Sequence, residues 1–177
     1  AMRESTPMTA YRGRFAPSPT GPLHFGSLIA AVASYCEARQ QGGRWFVRIE
    51  DLDTPRNVPG AADDILRTLE RLGFAWDGGV VYQSLQSECY AGALQRLQAG
   101  HRVFPCACSR KEIADSTLNV DGERVYPGTC RHGLPAGREA RAWRLRVDDE
   151  IIGYDDALQG PVRQDVARVI GDFVLRR

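Results

Sequence analysis

The sequence has almost no lysine, no long apolar run and no excess charge of either sign. Only Lys111 among its 23 basic residues is a lysine, and 22 acidic residues leave a formal net charge of +1. A chain this close to neutrality is not held to nucleic acid by bulk charge alone. No apolar run approaches the about 20 residues of a membrane helix, so we expect no membrane association. Five cysteines without a secretory signal predict reduced thiols and a cytoplasmic location.

The order of segments predicts an α/β fold, specifically a Rossmann-like parallel sheet with a small insertion. The 177 residues suit one domain of this size. Strand-like and helix-like segments alternate in the first hundred residues, which predicts crossover connections between parallel strands. In chain order these segments span 11–16, 27–41, 45–49, 61–72, 80–82 and 88–99. Ser27 is the predicted N-cap of the first helix, and Cys36 is predicted to lie on its buried face.

Composition divides the chain into four predicted parts. Residues 1–10 are a disordered N-terminus, in which Ala1 before Met2 is typical of a vector remnant. Residues 11–105 form the nucleotide-binding domain, 106–135 an insertion, and 136–177 a strand-rich continuation of the domain. The insertion holds too few large apolar side chains for a core, so a bound metal is expected to substitute for hydrophobic burial. The strand pattern reaches the last residue, which predicts the front part of a longer protein.

The most informative stretch lies between the first strand and the first helix. It contains two prolines, Gly21, His24 and Gly26, in the pattern Pro-x-Pro-x-Gly-x-x-His-x-Gly. In an open parallel sheet, ligands bind at such strand-to-helix loops because backbone N–H groups and the helix dipole attract phosphate. Gly26 permits close approach of a ligand, and His24 can donate to a phosphate oxygen or a purine. The alternative is a proline-stiffened turn with a helix cap.

The 14–27 stretch resembles the HIGH signature of class I aminoacyl-tRNA synthetases, in the form used by the glutamyl and glutaminyl branch. Residues 48–56 resemble a second sequence block of that branch. The sequences of residues 23–28 and 53–62 are similar to those of the short members of this branch, the glutamyl-Q tRNA(Asp) synthetases. Ser27 departs from the HIGH pattern because it replaces the second histidine, although a hydroxyl can still donate or cap there.

This resemblance implies a pocket for L-glutamate. Arg14 would bind the side-chain carboxylate through its planar guanidinium, and Glu50 would pair with the α-ammonium. Ser18 would hydrogen-bond the amino acid. The adjoining wall would consist of Phe15, Ala16, Pro17 and Ser18. The alternative is that Arg14 and Glu50 are ordinary surface charges.

The resemblance also implies a reaction with ATP and Mg²⁺. Thr20, His24 and Gly26 would lie against ATP, and His24, Gly26 and Ser27 would form the catalytic set. The glutamate α-carboxylate would attack the α-phosphate of ATP, giving glutamyl-adenylate and pyrophosphate, and glutamate would then pass to queuosine in tRNA(Asp). Catalysis would depend on positioning and on neutralising phosphate charge. Lys111 does not lie in a KMSKS-type loop, which is therefore expected beyond Arg177.

Cysteines in the insertion indicate a metal site. Cys106 and Cys108 are one residue apart, and together with Cys130 they can wrap a tetrahedral zinc ion. The resemblance implies Tyr126 as the fourth ligand of one structural Zn²⁺ per chain. His132 is a competitor for that position, because imidazole is the commoner zinc donor. Idle thiols without metal are the alternative.

Three functions remain open on these grounds. The first is glutamate transfer to queuosine in tRNA(Asp), by a protein expected to be a monomer. The second is the catalytic part of a glutamyl-tRNA synthetase that charges tRNA(Glu). The third is a non-catalytic zinc-bearing RNA-binding module, which would leave Arg14, His24 and Glu50 unexplained. Candidates for a basic RNA-binding face, or for a merely solvated strand face, are Arg138, Arg141, Arg144 and Arg146.

Overall fold

The computed structural model describes residues 10–114, 122 and 124–177. The predicted disordered N-terminus, apart from residue 10, lies outside the described residues. The chain forms two compact units, which divide between Tyr90 and Ala91. Among the described residues, no helix combines the length and the apolar character needed to cross a membrane.

The first unit is built around a sheet of three parallel strands. Its strands lie in the order β1–β2–β3, and each is followed by helical structure, as the alternating pattern predicts. The elements are β1 (Arg12–Phe15), α1 (Phe25–Gln40), β2 (Arg44–Ile49), a 3₁₀ turn (Thr54–Arg56), α2 (Ala61–Arg71), β3 (Val81–Tyr82) and a second 3₁₀ turn (Gln83–Gln86). The next helix, α3 (Ser87–Ala99), crosses the division between the units. The predicted α/β fold with a parallel sheet is therefore confirmed.

Trp45 is the centre of the first unit's core. Its side chain is fully buried, and its ring meets those of Tyr35 and Phe74 at centroid distances of 5.0 and 5.5 Å. The indole N–H donates to Ser34 Oγ at 3.0 Å, and the backbone N–H donates to Asp77 Oδ2 at 2.8 Å. Both N–H groups of Trp45 thus have hydrogen-bond partners inside the protein, as buried polar groups usually do. The other buried core residues are Phe15, Ala31, Ala38, Val47, Ile49, Ile65 and Leu69.

Helix α1 packs through small side chains, which corrects the prediction for its buried face. Ala31 and Ala38 are fully buried, whereas Ile29 and Val32 are 55% and 49% exposed. Cys36 is exposed, so its predicted burial is wrong. The physical reason is close approach to β1, because a Cβ added to Gly13 would lie 3.0 Å from the Cβ of Ala38. At that separation only small residues of α1 fit beside Gly13, whereas Tyr35 packs on the rings of Trp45 and Phe74.

The second unit contains antiparallel strands. Strands β4, β5 and β8 form one antiparallel sheet in that order, and β6 pairs with β7 in a separate hairpin. The elements are β4 (Val103–Cys106), α4 (Arg110–Ala114), β5 (Ala142–Leu145), β6 (Ile151–Asp156), β7 (Gly160–Asp165), α5 (Val166–Val169) and β8 (Val174–Arg176). The sequence predicts strands near β5 and β8 but not the hairpin. Its turn is marked by Asp156, whose Oδ1 accepts from two backbone N–H groups, and by Gly160 at a φ of +78°.

Candidate active site and metal centre

The first candidate site lies at the carboxyl ends of β1 and β2. The two strands are parallel, with Arg14 paired in register with Phe46 and Phe15 with Val47. Just beyond the strands, the Glu50 N–H donates to the Pro17 carbonyl at 2.9 Å. Arg14 therefore sits at the end of one strand and Glu50 at the end of its neighbour. This edge is where open parallel sheets bind ligands.

The predicted wall residues divide between the core and the surface. Phe15 and Pro17 are buried, and the Phe15 ring stacks on Trp45 at 6.4 Å. Arg14 and Ser18 are exposed, and Ala16 is half-buried. Within β1, strand alternation explains why Arg14 is exposed and Phe15 is buried, because neighbouring side chains point to opposite faces. Arg14 and Ser18 are therefore the members of this stretch whose polar groups are open to a ligand.

Glu50, just after β2, forms an ion pair with Arg48 near the end of that strand. Arg48 Nη2 lies 2.5 Å from Glu50 Oε1, and both side chains are about one-third exposed or less. The ion pair restricts the rotamers of the carboxylate without burying it. Glu50 thus keeps an oxygen available for a cationic group at the sheet edge.

A third loop is tied to the same edge by Asp51. Its carboxylate accepts from the Ser84 N–H at 2.9 Å and from the Ser84 hydroxyl at 2.6 Å, just after β3. Partial burial raises the pKa of Asp51, but the hydrogen bonds from Ser84 outweigh it and hold the pKa below its usual value. The Val58 N–H donates to the Pro19 carbonyl at 2.9 Å. Sequence reasoning missed Asp51 and Ser84, although a carboxylate directly after a buried strand is a signal for such a role.

His24, and not Ser27, is the N-cap of α1, and the helix begins at Phe25. His24 Nδ1 accepts the Ser27 backbone N–H at 3.2 Å. The predicted Ser27 cap is wrong because an imidazole nitrogen, three residues earlier, supplies the acceptor. A neutral imidazole that accepts at Nδ1 carries its proton at Nε2. The exposed Nε2–H of His24 can therefore donate to a ligand.

Gly26 makes room for this arrangement. A Cβ at position 26 would lie 3.1 Å from His24 Cε1 and 3.2 Å from His24 Nδ1. A side chain at position 26 would therefore require the imidazole to shift by a few tenths of an ångström. The His-x-Gly spacing thus has a mechanical cause, since the glycine allows the histidine to fold back onto the helix end.

The chemistry available at this edge is anion binding beside one cation and one acid. The N-terminus of a 16-residue helix offers free backbone N–H groups and the positive end of its dipole. His24 adds a side-chain donor, and Arg14 and Glu50 add opposite charges on neighbouring strands. Such a set can bind a phosphate and a zwitterion together.

The second candidate site is the cysteine cluster, defined as Cys106, Cys108 and Cys130. Its three sulfur atoms all lie within 4.8 Å of one another. Cys106 ends β4, and Cys108 precedes α4, whose start is fixed by reciprocal bonds between Ser109 and Glu112. The strand end and the capped turn therefore position Cys106 and Cys108.

The Tyr126 hydroxyl lies against this cluster, whereas His132 is exposed. The buried Tyr126 hydroxyl lies 3.5 Å from Cys106 Sγ and 3.8 Å from Cys108 Sγ, and it accepts the Cys130 N–H at 2.8 Å. The His132 side chain is exposed. The predicted competitor is therefore less favourably placed than the phenol oxygen.

The spacing of these donors fits a tetrahedral zinc ion. Zn–S bonds of about 2.3 Å at tetrahedral angles place two sulfurs about 3.7 Å apart, and an oxygen at about 2.0 Å lies about 3.5 Å from each sulfur. Cys108 and Cys130 are 3.7 Å apart, and the Tyr126 oxygen is 3.5 Å from Cys106. These two separations match those of a tetrahedral zinc site, and the three sulfurs could hold a metal ion.

The acidic groups of the cluster differ in the direction of their pKa shifts. Burial raises the pKa of the Cys106 thiol, but hydrogen bonds from Tyr126 and Arg144 outweigh it and lower the pKa to about 7. Burial and the neighbouring sulfurs raise the pKa of Cys108 and of Tyr126. One thiolate is therefore stabilised before metal binds. Deprotonation of Cys108 would therefore have to accompany binding of a metal.

Asp172 connects the cluster to the antiparallel sheet. It is 5% exposed, forms an ion pair with Arg131 next to Cys130, and accepts the Val147 N–H at 2.9 Å. Its backbone carbonyl accepts from Arg144 at 2.7 Å. Arg144 is itself 7% exposed, so its predicted place on a basic or solvated face is wrong. Sequence patterns do not distinguish it from the exposed arginines around it.

Comparison with known proteins identifies the family of this chain. A sequence profile described as "tRNA synthetases class I (E and Q), catalytic domain" matches residues 10–166, nearly the whole chain. The chain belongs to this family of class I tRNA synthetases. The resemblance found in the sequence motifs is thereby confirmed.

Within the family, the chain is similar to proteins named glutamyl-Q tRNA(Asp) synthetase. It is 67% identical to that of Dechloromonas aromatica over 169 residues, which cover 94% of this chain and 56% of the relative. It is 63% identical to that of Chromobacterium violaceum over 167 residues, with shares of 94% and 56%. The chain thus spans little more than half the length of these relatives.

Solved structures give the same fold. A glutamate tRNA ligase from Elizabethkingia meningosepticum, in complex with its amino acid, aligns with a TM-score of 0.77 and 26% identity. The alignment covers 94% of this chain and 38% of that structure. A glutamate-tRNA synthetase from Elizabethkingia anophelis aligns with a TM-score of 0.78, 26% identity, and shares of 94% and 39%.

Replacement of His24 tests its role as the helix cap. His24→Ala removes the acceptor at the start of α1 and should lower the free energy of unfolding by about 1 kcal/mol. His24→Asn keeps a good capping acceptor and should lose only a few tenths of that amount. Urea unfolding of both variants measures the difference. Equal losses would contradict the capping role and would point instead to the packing of the ring over Gly26.

Proposed function

We propose that the protein activates L-glutamate with ATP and transfers it to the queuosine base of tRNA(Asp). The single observation that carries this proposal is the 67% identity to a glutamyl-Q tRNA(Asp) synthetase over 94% of the chain. The geometry supports it independently, because Arg14, His24 and Glu50 share one edge of the parallel sheet.

Arg14 and Glu50 are proposed to select glutamate. The exposed guanidinium of Arg14 can meet the side-chain carboxylate with two parallel hydrogen bonds. The carboxylate of Glu50 can pair with the α-ammonium, while Arg48 holds it in place at 2.5 Å. A cation and an anion at the ends of neighbouring strands suit an amino acid with an acidic side chain.

His24 and the start of α1 are proposed to hold ATP. The Nε2–H of His24 and the backbone N–H groups of the first turn can bind phosphate oxygens, while Thr20 and Gly26 form the adjacent surface. The glutamate α-carboxylate oxygen then attacks the α-phosphorus, the bond to the β-phosphate oxygen breaks, and pyrophosphate leaves. The protein supplies position and charge neutralisation and needs no nucleophile of its own. Attack by the acceptor nucleoside on the glutamyl carbonyl releases AMP.

The cysteine cluster and Tyr126 are proposed to bind one structural zinc ion. With four protein ligands, no position would remain for substrate, so the metal would stabilise the fold of this region without taking part in the reaction. This role suits the described part of residues 106–135, where the buried cluster adds only Phe104 and Ala107 to the proposed ligands. Binding energy from the metal would there replace hydrophobic burial.

The second candidate function is glutamylation of tRNA(Glu), which the structural likeness to two glutamate-tRNA synthetases favours. Their 26% identity to this chain is far below the 67% of the glutamyl-Q relative. The family match also speaks against a non-catalytic RNA-binding module, since it covers a catalytic domain.

The acceptor assay separates these functions. In its full natural length, the protein should exchange pyrophosphate with ATP when glutamate is present and tRNA is absent. It should then attach labelled glutamate to tRNA(Asp) that carries queuosine, and not to tRNA(Asp) without it. Exchange that requires tRNA, with labelling of tRNA(Glu) alone, would favour the ordinary synthetase.

Arg14→Ala should impair recognition of glutamate much more than recognition of ATP. Loss of a hydrogen-bonded charge pair costs about 1.5–3 kcal/mol, or about ten- to a hundredfold in affinity. The probe is a non-hydrolysable glutamyl-sulfamoyl adenosine, compared by calorimetry with its glutaminyl counterpart. Only the glutamyl compound should lose affinity.

Arg12→Ala is the matched control, because Arg12 lies two residues before Arg14 and is exposed on the same face of β1. It should change neither affinity by more than about twofold. Equal losses for both compounds in the Arg14 variant would refute its assignment to the side-chain carboxylate.

Tyr126→Phe distinguishes the two predicted fourth ligands of zinc. The substitution keeps the buried ring and removes the phenol oxygen, so zinc affinity should fall by more than about tenfold. His132→Ala removes an exposed imidazole and should leave the affinity unchanged. Competition with a chromogenic chelator measures both. The reverse pattern would assign the fourth position to His132.

A further inference from the structure

Arg144 is a buried cation in direct contact with the cysteine cluster. Its Nε–H donates to Cys106 Sγ at 3.2 Å, and its Nη1–H donates to the Asp172 carbonyl at 2.7 Å. Its guanidinium carbon lies 3.8 Å from the centre of the Tyr126 ring. The residue is only 7% exposed. A guanidinium this deeply buried needs a negative partner to offset its lost hydration.

The neighbouring arginines already have carboxylate partners. Arg131 forms an ion pair with Asp172, and Arg138 forms one with Glu112 at 2.5 Å. Within the described part of the chain, no ion pair with a carboxylate is found for Arg144. The sulfur of Cys106 is thus the anionic group to which the charge of Arg144 is directed.

We propose that Arg144 is a positioning residue of the zinc site, which offsets the charge of the thiolate ligands and orients Cys106 and Tyr126. The inference rests on the proposed zinc site. Three thiolates around a divalent cation leave one net negative charge, and an ionised phenol would leave two. Such a charge is costly to bury without a cation beside it. Hydrogen bonds to metal ligands also fix their orientation and tune the metal.

The shape of the guanidinium suits this role better than that of a lysine ammonium. One planar group donates to a sulfur along one edge and to a carbonyl along another, while its face rests on an aromatic ring. A lysine could reach only one of these partners well. Arg144→Lys should therefore keep the charge but lose much of the orientation.

Metal affinity tests the proposal on the 177-residue chain. Zinc is titrated in competition with a chromogenic chelator, and Arg144→Met should bind about ten- to a hundredfold more weakly than the unaltered chain. Arg144→Lys should fall between the two. Arg146→Met is the matched control, since Arg146 also stacks on a ring, that of Phe104 at 5.2 Å, and donates to backbone carbonyls. It should bind zinc as the unaltered chain does.

Cobalt substitution gives a readout that a merely structural role would not move. A hydrogen bond to a thiolate stabilises the sulfur electrons, so its loss should shift the sulfur-to-cobalt charge-transfer band to longer wavelength. We expect this shift in Arg144→Met and Arg144→Lys, and no shift in Arg146→Met. Since the lysine variant retains the charge, its spectrum remains informative even where the methionine variant folds poorly.

The outcomes separate this inference from the zinc site itself. Unchanged zinc affinity and an unchanged cobalt spectrum in both Arg144 variants would overturn the role of Arg144 and leave the zinc site standing. Absence of tight zinc binding by the unaltered chain would remove the zinc site, and this inference with it.

Discussion

Parallel pairing of β1 with β2 is the constraint on which the candidate active site depends. Two parallel strands end at the same edge, so residues about 35 positions apart in sequence, such as Arg14 and Glu50, are delivered to one place. The hydrogen bond from Glu50 N–H to the Pro17 carbonyl continues this pairing past the last strand residues. The buried ring of Trp45 on β2 stabilises this pairing, because it packs against Tyr35 and bonds to Ser34 of α1. The polar edge is therefore set by an apolar core that takes no part in the chemistry.

The cysteine cluster is positioned by polar contacts, whereas the sheet edge is positioned by an apolar core. Among the residues that the structure describes, few large apolar groups surround it, and its polar groups are instead matched to one another by hydrogen bonds and ion pairs. A buried network of this kind is stable only when every member is satisfied. Asp172 meets that condition by serving Arg131 and Val147 with its carboxylate and Arg144 with its carbonyl. The network holds the three sulfurs at distances that suit a metal ion.

Sequence could predict the parallel sheet and the clustered cysteines, since alternating segments and thiol spacing follow directly from strand order and ligand number. It could not predict which face of α1 is buried, because that depends on how closely Gly13 lets the helix approach β1. It placed the cap at Ser27 because hydroxyls are common N-caps, and a capping imidazole at His24 has no comparable signal. Arg144 was indistinguishable from its neighbours because burial depends on contacts between distant segments. The predicted domain boundaries and glutamate ligands remain predictions.

The near absence of lysine has a structural counterpart in the second unit. Arg131, Arg138 and Arg144 each bind two or more groups at once, and each reaches a backbone carbonyl as well as a charged or polarisable side chain. A planar fork with five N–H donors can make such bridges, whereas an ammonium ion acts as a point charge. Bridges of this kind connect loops that bury little apolar surface. Arginine thus contributes here both as a cross-linker of irregular backbone and as a positive charge.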